Sequence, residues 1–319
     1  MSVRFEGAFH VAEVWLNGEF ILQHTDGYLG FTARLDNVST LRVGPANANV
    51  LAVRVDASFG SGHWYEGGGL WRGVQLVRTH PLHLVEHGAF VSPEVAAAGS
   101  SGASSVACEA EAEWASVAAA ASARAGSPAG VRCALYPLHG DAPLGTCFAA
   151  LGAVAPGDTP RTTRCSIETE AALTLWSVEE PVLYSARVSV LDPSGTEVDA
   201  TNLTTAFRTT RWDEHGFHLN GAHLKQRGFS HHHSFAGVGA AADGIERLHL
   251  FKAQTSRALG ANSWRMSHNP YGLPLYSVLD ALGVLVWDEN RDYGAPYTEA
   301  MGGLVKRSRN HPSVTIYSF

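Results

Sequence analysis

Three short stretches hold most of the chemistry in this 319-residue chain: "SHHHSFAGVG" from Ser230, "RMSHNP" from Arg265 and "DENRDYG" from Asp288. Between them they supply imidazoles, a guanidinium, carboxylates and carboxamides. These are directed donors and acceptors, and they suit a polyhydroxylated ligand better than an apolar one. Taken singly, each stretch is ordinary. A run of three His is common at surfaces, Arg265 and His268 would serve equally as caps at a strand end, and Asp288-Glu289 would serve to anchor a loop. Their phase sets them apart, because each one follows a predicted strand.

The elements that position them begin at an Asn220-Gly221 hairpin signal, which leads into an apolar strand near Leu224 to Phe229. Ile245, Leu248, Phe251, Thr255, Ala258 and Leu259 then recur at helical spacing, with Asp243 as the predicted cap and Gly260 as the stop. A strand over Asn262 to Met266 follows, then a helix over Leu275 to Leu282 that ends at Gly283. Next come a strand over Val284 to Asp288, a helix near Glu299 to Arg309, the turn Asn310-His311-Pro312 and a strand over Val314 to Phe319. The order βαβαβαβ implies parallel strands joined by crossover helices. In a closed (β/α)₈ barrel the active site lies at the carboxyl ends of the strands, where the three polar stretches fall.

Upstream the texture is different. Residues 1–80 form short alternating runs, among them "EVWLNGEFI" with its Asn17-Gly18 turn and "NVLAVRV", which predict a β-sandwich or jelly roll. Residues 81–210 predict a second, smaller sandwich interrupted by the Ala/Ser/Gly-rich stretch "AAAGSSGASSVACEAEAEWASVAAAASARAGSPAG". Helix propensity argues for a helix there, but the Gly and Pro content favours a decorated β region or an insertion. Cys108, Cys133, Cys147 and Cys165 show no CxxC spacing and read as buried free thiols.

Composition narrows the partners. Lys+Arg 23 against Asp+Glu 30 gives a formal charge of −7, with no dense basic stripe, so nucleic acid is disfavoured. No apolar run approaches the roughly 20 residues that span a bilayer, and "MSVRFEGAF" lacks a signal-peptide pattern, so no membrane partner is expected. Oligomeric state and compartment are left open.

Four segments, "FHLNGAHLKQRGFSHHHSFAGVG", "LGANSWRMSHNPYG", "LDALGVLVWDENRDYG" and "VKRSRNHPSVTIYSF", closely resemble successive barrel segments of glycoside hydrolase family 2, in particular its β-galactosidase branch. "WYEGGGLWRGVQL" is similar to the family's sugar-binding jelly roll, and "LTLWSVEEPVLYSARVSV" to its immunoglobulin-like middle domain. The resemblance implies a multidomain β plus α/β protein: a jelly roll over 1–80, an immunoglobulin-like sandwich over 81–210, and the first half of a (β/α)₈ TIM barrel, strands one to four, over 211–319. It also implies retaining hydrolysis of terminal β-D-galactosides by two carboxyl groups. Neither catalytic Glu matches a position in this chain. The acid/base is expected just after Phe319, and the 319-residue chain is expected to be inactive and to depend on the missing half of the barrel.

By the same resemblance Arg265, His268, His232 and Asn269 bind substrate, with His231 and His233 left as alternatives for the first-strand His. Asp288, Glu289 and Asn290 play supporting roles. Trp264, Trp287 and Tyr271 are considered as platforms for a sugar ring, with core packing favoured for Trp264. "NRDYG" stands where better-studied bacterial members carry a magnesium-binding Glu-x-His, so no metal is expected and no cofactor is implied. A non-catalytic carbohydrate-binding protein, a β-glucuronidase and a β-mannosidase are the competing readings.

Overall fold

The computed structural model describes residues 1–44, 48–58, 68–93, 104–114, 129–152, 159–233, 239, 243–291 and 297–318. Strands β1 (Ser2–Phe5), β2 (Ala8–Phe9), β3 (Val11–Leu16), β4 (Glu19–His24), β5 (Phe31–Arg34), β6 (Leu51–Asp56), β7 (Gly69–Leu70) and β8 (Val74–Val77) build the first region. They form antiparallel sheets in the orders β5-β1-β8 and β4-β3-β6, with β2 paired to β7. Every second residue of β3 is buried, and Val14 and Leu16 share a core with Val3, Phe5, Ala33 and Leu35. The turn from β3 to β4 is set by Asn17 (φ 50) and Gly18 (φ 86), the paired left-handed positions that a two-residue hairpin requires.

The second region comprises β9 (Leu82–Leu84), β10 (Phe90–Pro93), β11 (Ser104–Trp114), β12 (Gly130–Pro137), β13 (Gly145–Ala150), β14 (Arg161–Thr169), β15 (Tyr184–Leu191) and β16 (Glu197–Thr205). Two antiparallel sheets, β10-β11-β14 with β9 on β11 and β13-β12-β15-β16, close on one core that includes Val106, Val131, Leu135, Ile167 and Val188. Part of the Ala-rich stretch is thus an 11-residue strand, β11; its parts at 96–103 and 115–128 lie outside the described residues. The expectation of four free thiols is corrected. Cys147 on β13 and Cys165 on β14 are disulfide-bonded across the two sheets, while Cys108 and Cys133 remain buried thiols. No spacing in the sequence signals this bridge, since it depends on how the sheets pack.

A meander of β17 (Thr210–Asp213), β18 (Gly216–Leu219) and β19 (Ala222–His223) follows, turning at Asn220 (φ 52) and Gly221 (φ 81). The chain then enters a parallel sheet in the order β20 (Gly228–His231), β21 (Ser263–Met266), β22 (Leu285–Glu289) and β23 (Val314–Ser318). Its crossovers are α1 (Glu246–Ala258), α2 (Leu273–Leu282) and α3 (Tyr297–Ser308). One sheet face packs with the helices through Trp264, Met266, Leu275, Leu279, Val286 and Val314. Gly228 is dictated by close approach, because a Cβ there would lie 1.6 Å from the Ser263 carbonyl oxygen. Gly283 closes α2 in the left-handed conformation at φ 66.

Two details differ from the sequence reading. The first parallel strand is Gly228–His231 and not Leu224 to Phe229. Ile245, not Asp243, stands at the head of α1, and no side chain caps that helix. The buried face of α1 is made by His249 and Ala253, whereas Phe251 is 66% exposed and Leu259 72%. Hydrophobic periodicity misses such a face, because His249 is buried through a hydrogen bond to the Asp243 carbonyl at 2.7 Å.

The disulfide closes a loop between residues 18 apart, which by chain entropy contributes about 3 kcal/mol. Urea unfolding of the Cys147→Ser/Cys165→Ser double variant is expected to show that loss; an unchanged midpoint would show that the bridge does not stabilise the second region.

Candidate active site

Alternation along the parallel strands sorts the polar residues between two environments. In β21, Trp264 turns to the helices with no exposed surface, and Arg265 turns to the opposite face, in register with Trp287 of β22. Glu289, two residues past Trp287, shares that face. Arg265 Nε donates to Glu289 Oε2 at 2.7 Å and Arg265 Nη2 to Oε1 at 3.1 Å, the two-pronged geometry that fixes a guanidinium plane. His268, on the loop leaving β21, places Nδ1 2.7 Å from the same Oε1. The Glu289 side chain is 2% exposed, against 37% for Arg265 and 23% for His268. A shielded carboxylate therefore aims two partly open donor groups. Both Glu289 oxygens are engaged by these groups.

The three histidines separate. His231 stacks on Trp264 at 4.3 Å and faces Tyr271 Oη at 3.0 Å; burial pushes its pKa down to about 4, so it is neutral at pH 7. His232 is exposed, and its ring meets His268 edge-on at 5.3 Å. His233 turns into a buried cluster, its Nε2 3.1 Å from Asp243 Oδ1 and its Nδ1 taking the Asn269 carboxamide N–H. Of the residues singled out in the sequence, Arg265, His268, His232, Glu289 and Trp287 thus share one neighbourhood, with the Arg265 guanidinium 5.5 Å from the Trp287 ring.

The others sit elsewhere. Asn269 has no exposed surface and is committed to His233 and to the Pro270 carbonyl at 3.3 Å. Tyr271 is fully buried, stacked 3.6 Å from His233, so it offers no platform to a sugar. Asp288 faces the helices, accepting from Tyr276 Oη at 2.8 Å and Ser308 Oγ at 3.1 Å, while Asn290 is buried and donates its backbone N–H to Ser318 O. Asp288 and Glu289, neighbours in sequence, thus lie on opposite faces of the strand by its two-residue period.

Asp243, read from sequence as a helix cap, anchors a buried polar hub. Arg72 Nε of the first region donates to its Oδ2 at 2.8 Å, and the Gly272 N–H donates to the same oxygen at 2.7 Å. Arg72 also donates to the carbonyls of Pro270 and Tyr28. Although burial opposes ionisation, the Arg72 guanidinium and the His233 hydrogen bond hold the Asp243 carboxyl far below the usual range. The hub clamps the loop that carries His268. Its sequence signal is weak, since Arg72 and Asp243 are 171 residues apart. Among the described residues no group of three His, Cys, Asp or Glu is arranged to hold a metal.

The model for "Glycosyl hydrolases family 2, TIM barrel domain" matches residues 211–302. A putative beta-glucuronidase of Formosa agariphila is 30% identical over 335 residues, covering 99% of this chain and 29% of that protein. The beta-galactosidase BoGH2A of Bacteroides ovatus is 29% identical over 347 residues, covering 99% of this chain and 36% of that protein. A glycosyl hydrolase family 2 member from Bacteroides cellulosilyticus superposes with a TM-score of 0.84 at 27% identity, covering all of this chain and 42% of the solved one. The family model and these relatives support glycoside hydrolase family 2 for this chain. The names of the relatives divide between β-glucuronidase and β-galactosidase, and the chain spans well under half the length of each.

Burial raises the Asp288 pKa to about 6, with Tyr276, Arg307 and Ser308 pulling the other way. An acid whose folded pKa lies above its unfolded value near 4 favours the folded state most when protonated, so this contribution is full below about pH 4 and is lost as pH rises through 6. Asp288→Asn keeps an acceptor for Tyr276 and is expected to flatten the stability profile between pH 4 and 6. If the variant's denaturation midpoints follow the same pH dependence as the parent's, Asp288 is not the titrating group.

Proposed function

We propose that the chain forms the sugar-holding part of a retaining β-glycosidase that acts on terminal β-D-galactosides. The observation that carries this reading is the Glu289-centred clamp, in which one shielded carboxylate fixes Arg265 and His268 beside Trp287 on the inner sheet face. Two rigid polar donors beside an indole are what pyranose recognition needs: the ring face packs on the aromatic surface, and a misplaced hydroxyl leaves a donor that the sugar covers unpaired. In this reading His232 completes the rim next to His268, and Asn269 supports from behind through His233.

Retaining hydrolysis needs two carboxyl groups about 5 Å apart across the scissile bond, one to protonate the leaving oxygen and one to attack the anomeric carbon. Glu289 is spent on orientation, so we assign both catalytic carboxylates to other positions of the whole protein, and the chain by itself is expected to turn over no aryl β-glycoside. A β-glucuronidase is the second reading, favoured by the names of the relatives in Formosa agariphila. A non-catalytic sugar-binding protein is the third.

In the whole protein, His268→Ala is expected to reduce kcat/KM on an aryl β-galactoside by about 2 kcal/mol of transition-state stabilisation, or roughly thirtyfold. Parallel assays on the aryl β-glucuronide separate the first two readings by which substrate is faster. Unaltered kcat/KM in the variant would remove His268 from the sugar site, and hydrolysis of neither substrate would favour the third reading.

A further inference from the structure

Strand β11 turns Val106, Cys108, Ala110 and Ala112 into its core, and Glu109, Glu111 and Glu113 to the opposite face. Each of these glutamates meets a cation from another part of the chain. Arg309 and Lys306 of α3 pair with Glu109 and Glu111, and Arg34, the last residue of β5, pairs with Glu113. Together with the Arg4–Glu86 pair, Glu113 thus ties the first region to the second by charge. A further group reaches the same carboxylate. His83 stands opposite Glu113 in the pairing of β9 with β11, and its Nε2 lies 3.1 Å from Glu113 Oε1, the oxygen to which Arg34 Nη2 donates.

The other nitrogen of the His83 ring, Nδ1, lies 3.1 Å from the Pro81 carbonyl oxygen. Both nitrogens therefore face oxygens, an arrangement that a doubly protonated imidazole satisfies completely and a neutral one only in part. Burial pulls the His83 pKa down, but the Glu113 hydrogen bond, the Pro81 carbonyl and the charges of Glu113 and Asp199 outweigh it and leave the pKa raised. The remaining charged and titratable groups nearby are engaged elsewhere. Asp199 of β16 accepts the Leu84 N–H at 2.9 Å, Arg187 of β15 is held by Asn202 and Glu197, and His80 turns Nδ1 to the Leu82 N–H at 3.2 Å. At the adjoining Glu86, burial pushes His87 down to about 4, so that ring stays neutral where His83 titrates.

We propose that His83 is a proton-operated latch on the junction between the first and second regions: protonated, it draws Glu113 away from Arg34, and neutral, it leaves Glu113 to Arg34. An imidazolium on the shared oxygen offsets the carboxylate charge and repels the guanidinium, so acid loosens this tie and a rise in pH tightens it. Folding responds with the opposite sign. A raised folded pKa makes the His83 contribution to stability full below its ordinary value near 6.5, and that contribution is lost as pH rises through the folded value. Linkage makes the competition reciprocal: the factor by which Arg34 lowers the proton affinity of His83 is the factor by which protonation weakens the Arg34 tie. The latch is independent of the sugar-holding clamp.

Titration of the His83 imidazole by nuclear magnetic resonance, in the full 319-residue chain at low salt, tests it. Arg34→Gln alters a side chain that is 48% exposed and leaves the core intact. It is expected to raise the proton affinity of His83 about threefold, the effect of removing one charge some 6 Å away across a well-solvated gap. Glu113→Gln is expected to lower that affinity. In the parent, the Arg34 Nε resonance is expected to move with the His83 midpoint, and in His83→Gln that movement is expected to vanish. The proposal is overturned if Arg34→Gln leaves the His83 midpoint in place or lowers it, or if Arg34 Nε in the parent does not follow the His83 midpoint.

Discussion

Asp243 carries a charge on a side chain withdrawn from the surface, and much of the surrounding architecture follows from keeping that charge satisfied. Removing a carboxylate from solvent costs several kcal/mol unless a countercharge and further donors meet it. Arg72 arrives from the first β region, His233 from the end of β20 and the Gly272 N–H from the head of α2, while His249 of α1 bonds the Asp243 carbonyl. Three nearby segments and one 171 residues upstream are therefore fixed to one residue, and the first region is held against the parallel sheet by a buried ion pair as well as by packing.

From this hub the order passes to the candidate active site. His233 is pinned by Asp243 on one nitrogen and by Asn269 on the other, and it stacks on Tyr271, so the loop from Ser267 to Gly272 is braced along its length. His268 leaves that loop towards Glu289, where Arg265 already occupies both carboxylate oxygens. Strand β22 divides its two acids between opposite tasks. Asp288 enters the helical layer, where burial raises its pKa, and Glu289 enters the inner face, where a guanidinium and an imidazole meet it. The neighbours, more than the residue type, decide what each carboxylate does.

The sequence made some of this legible, and the division has physical causes. Hairpins at Asn17-Gly18 and Asn220-Gly221, the stop at Gly283 and the βαβ rhythm are local signals, written in turn chemistry and periodicity, and they appear at the expected places. Arg265, His268 and Glu289 stood out because strand ends collect functional side chains. What depended on long-range pairing was hidden. Asp243 resembled a cap because capping is the commonest role for an acid before a helix, and its true partner lies 171 residues upstream. The Cys147–Cys165 bridge and the polar inner face of α1 were invisible for the same reason, since each is set by which surfaces meet.

The claim at the centre is that Glu289 pre-assembles Arg265 and His268 into a sugar-holding face before any ligand arrives. Nuclear magnetic resonance of the chain, with the imidazole of His268, the guanidinium Nε of Arg265 and the indole N–H of Trp287 assigned, follows that face directly as D-galactose is added. Saturable shifts of all three groups, absent when Glu289 is replaced by Gln in a chain that remains folded, are the result this account predicts. Saturable galactose binding that leaves the three signals in place, or that persists unchanged in Glu289→Gln, would contradict it.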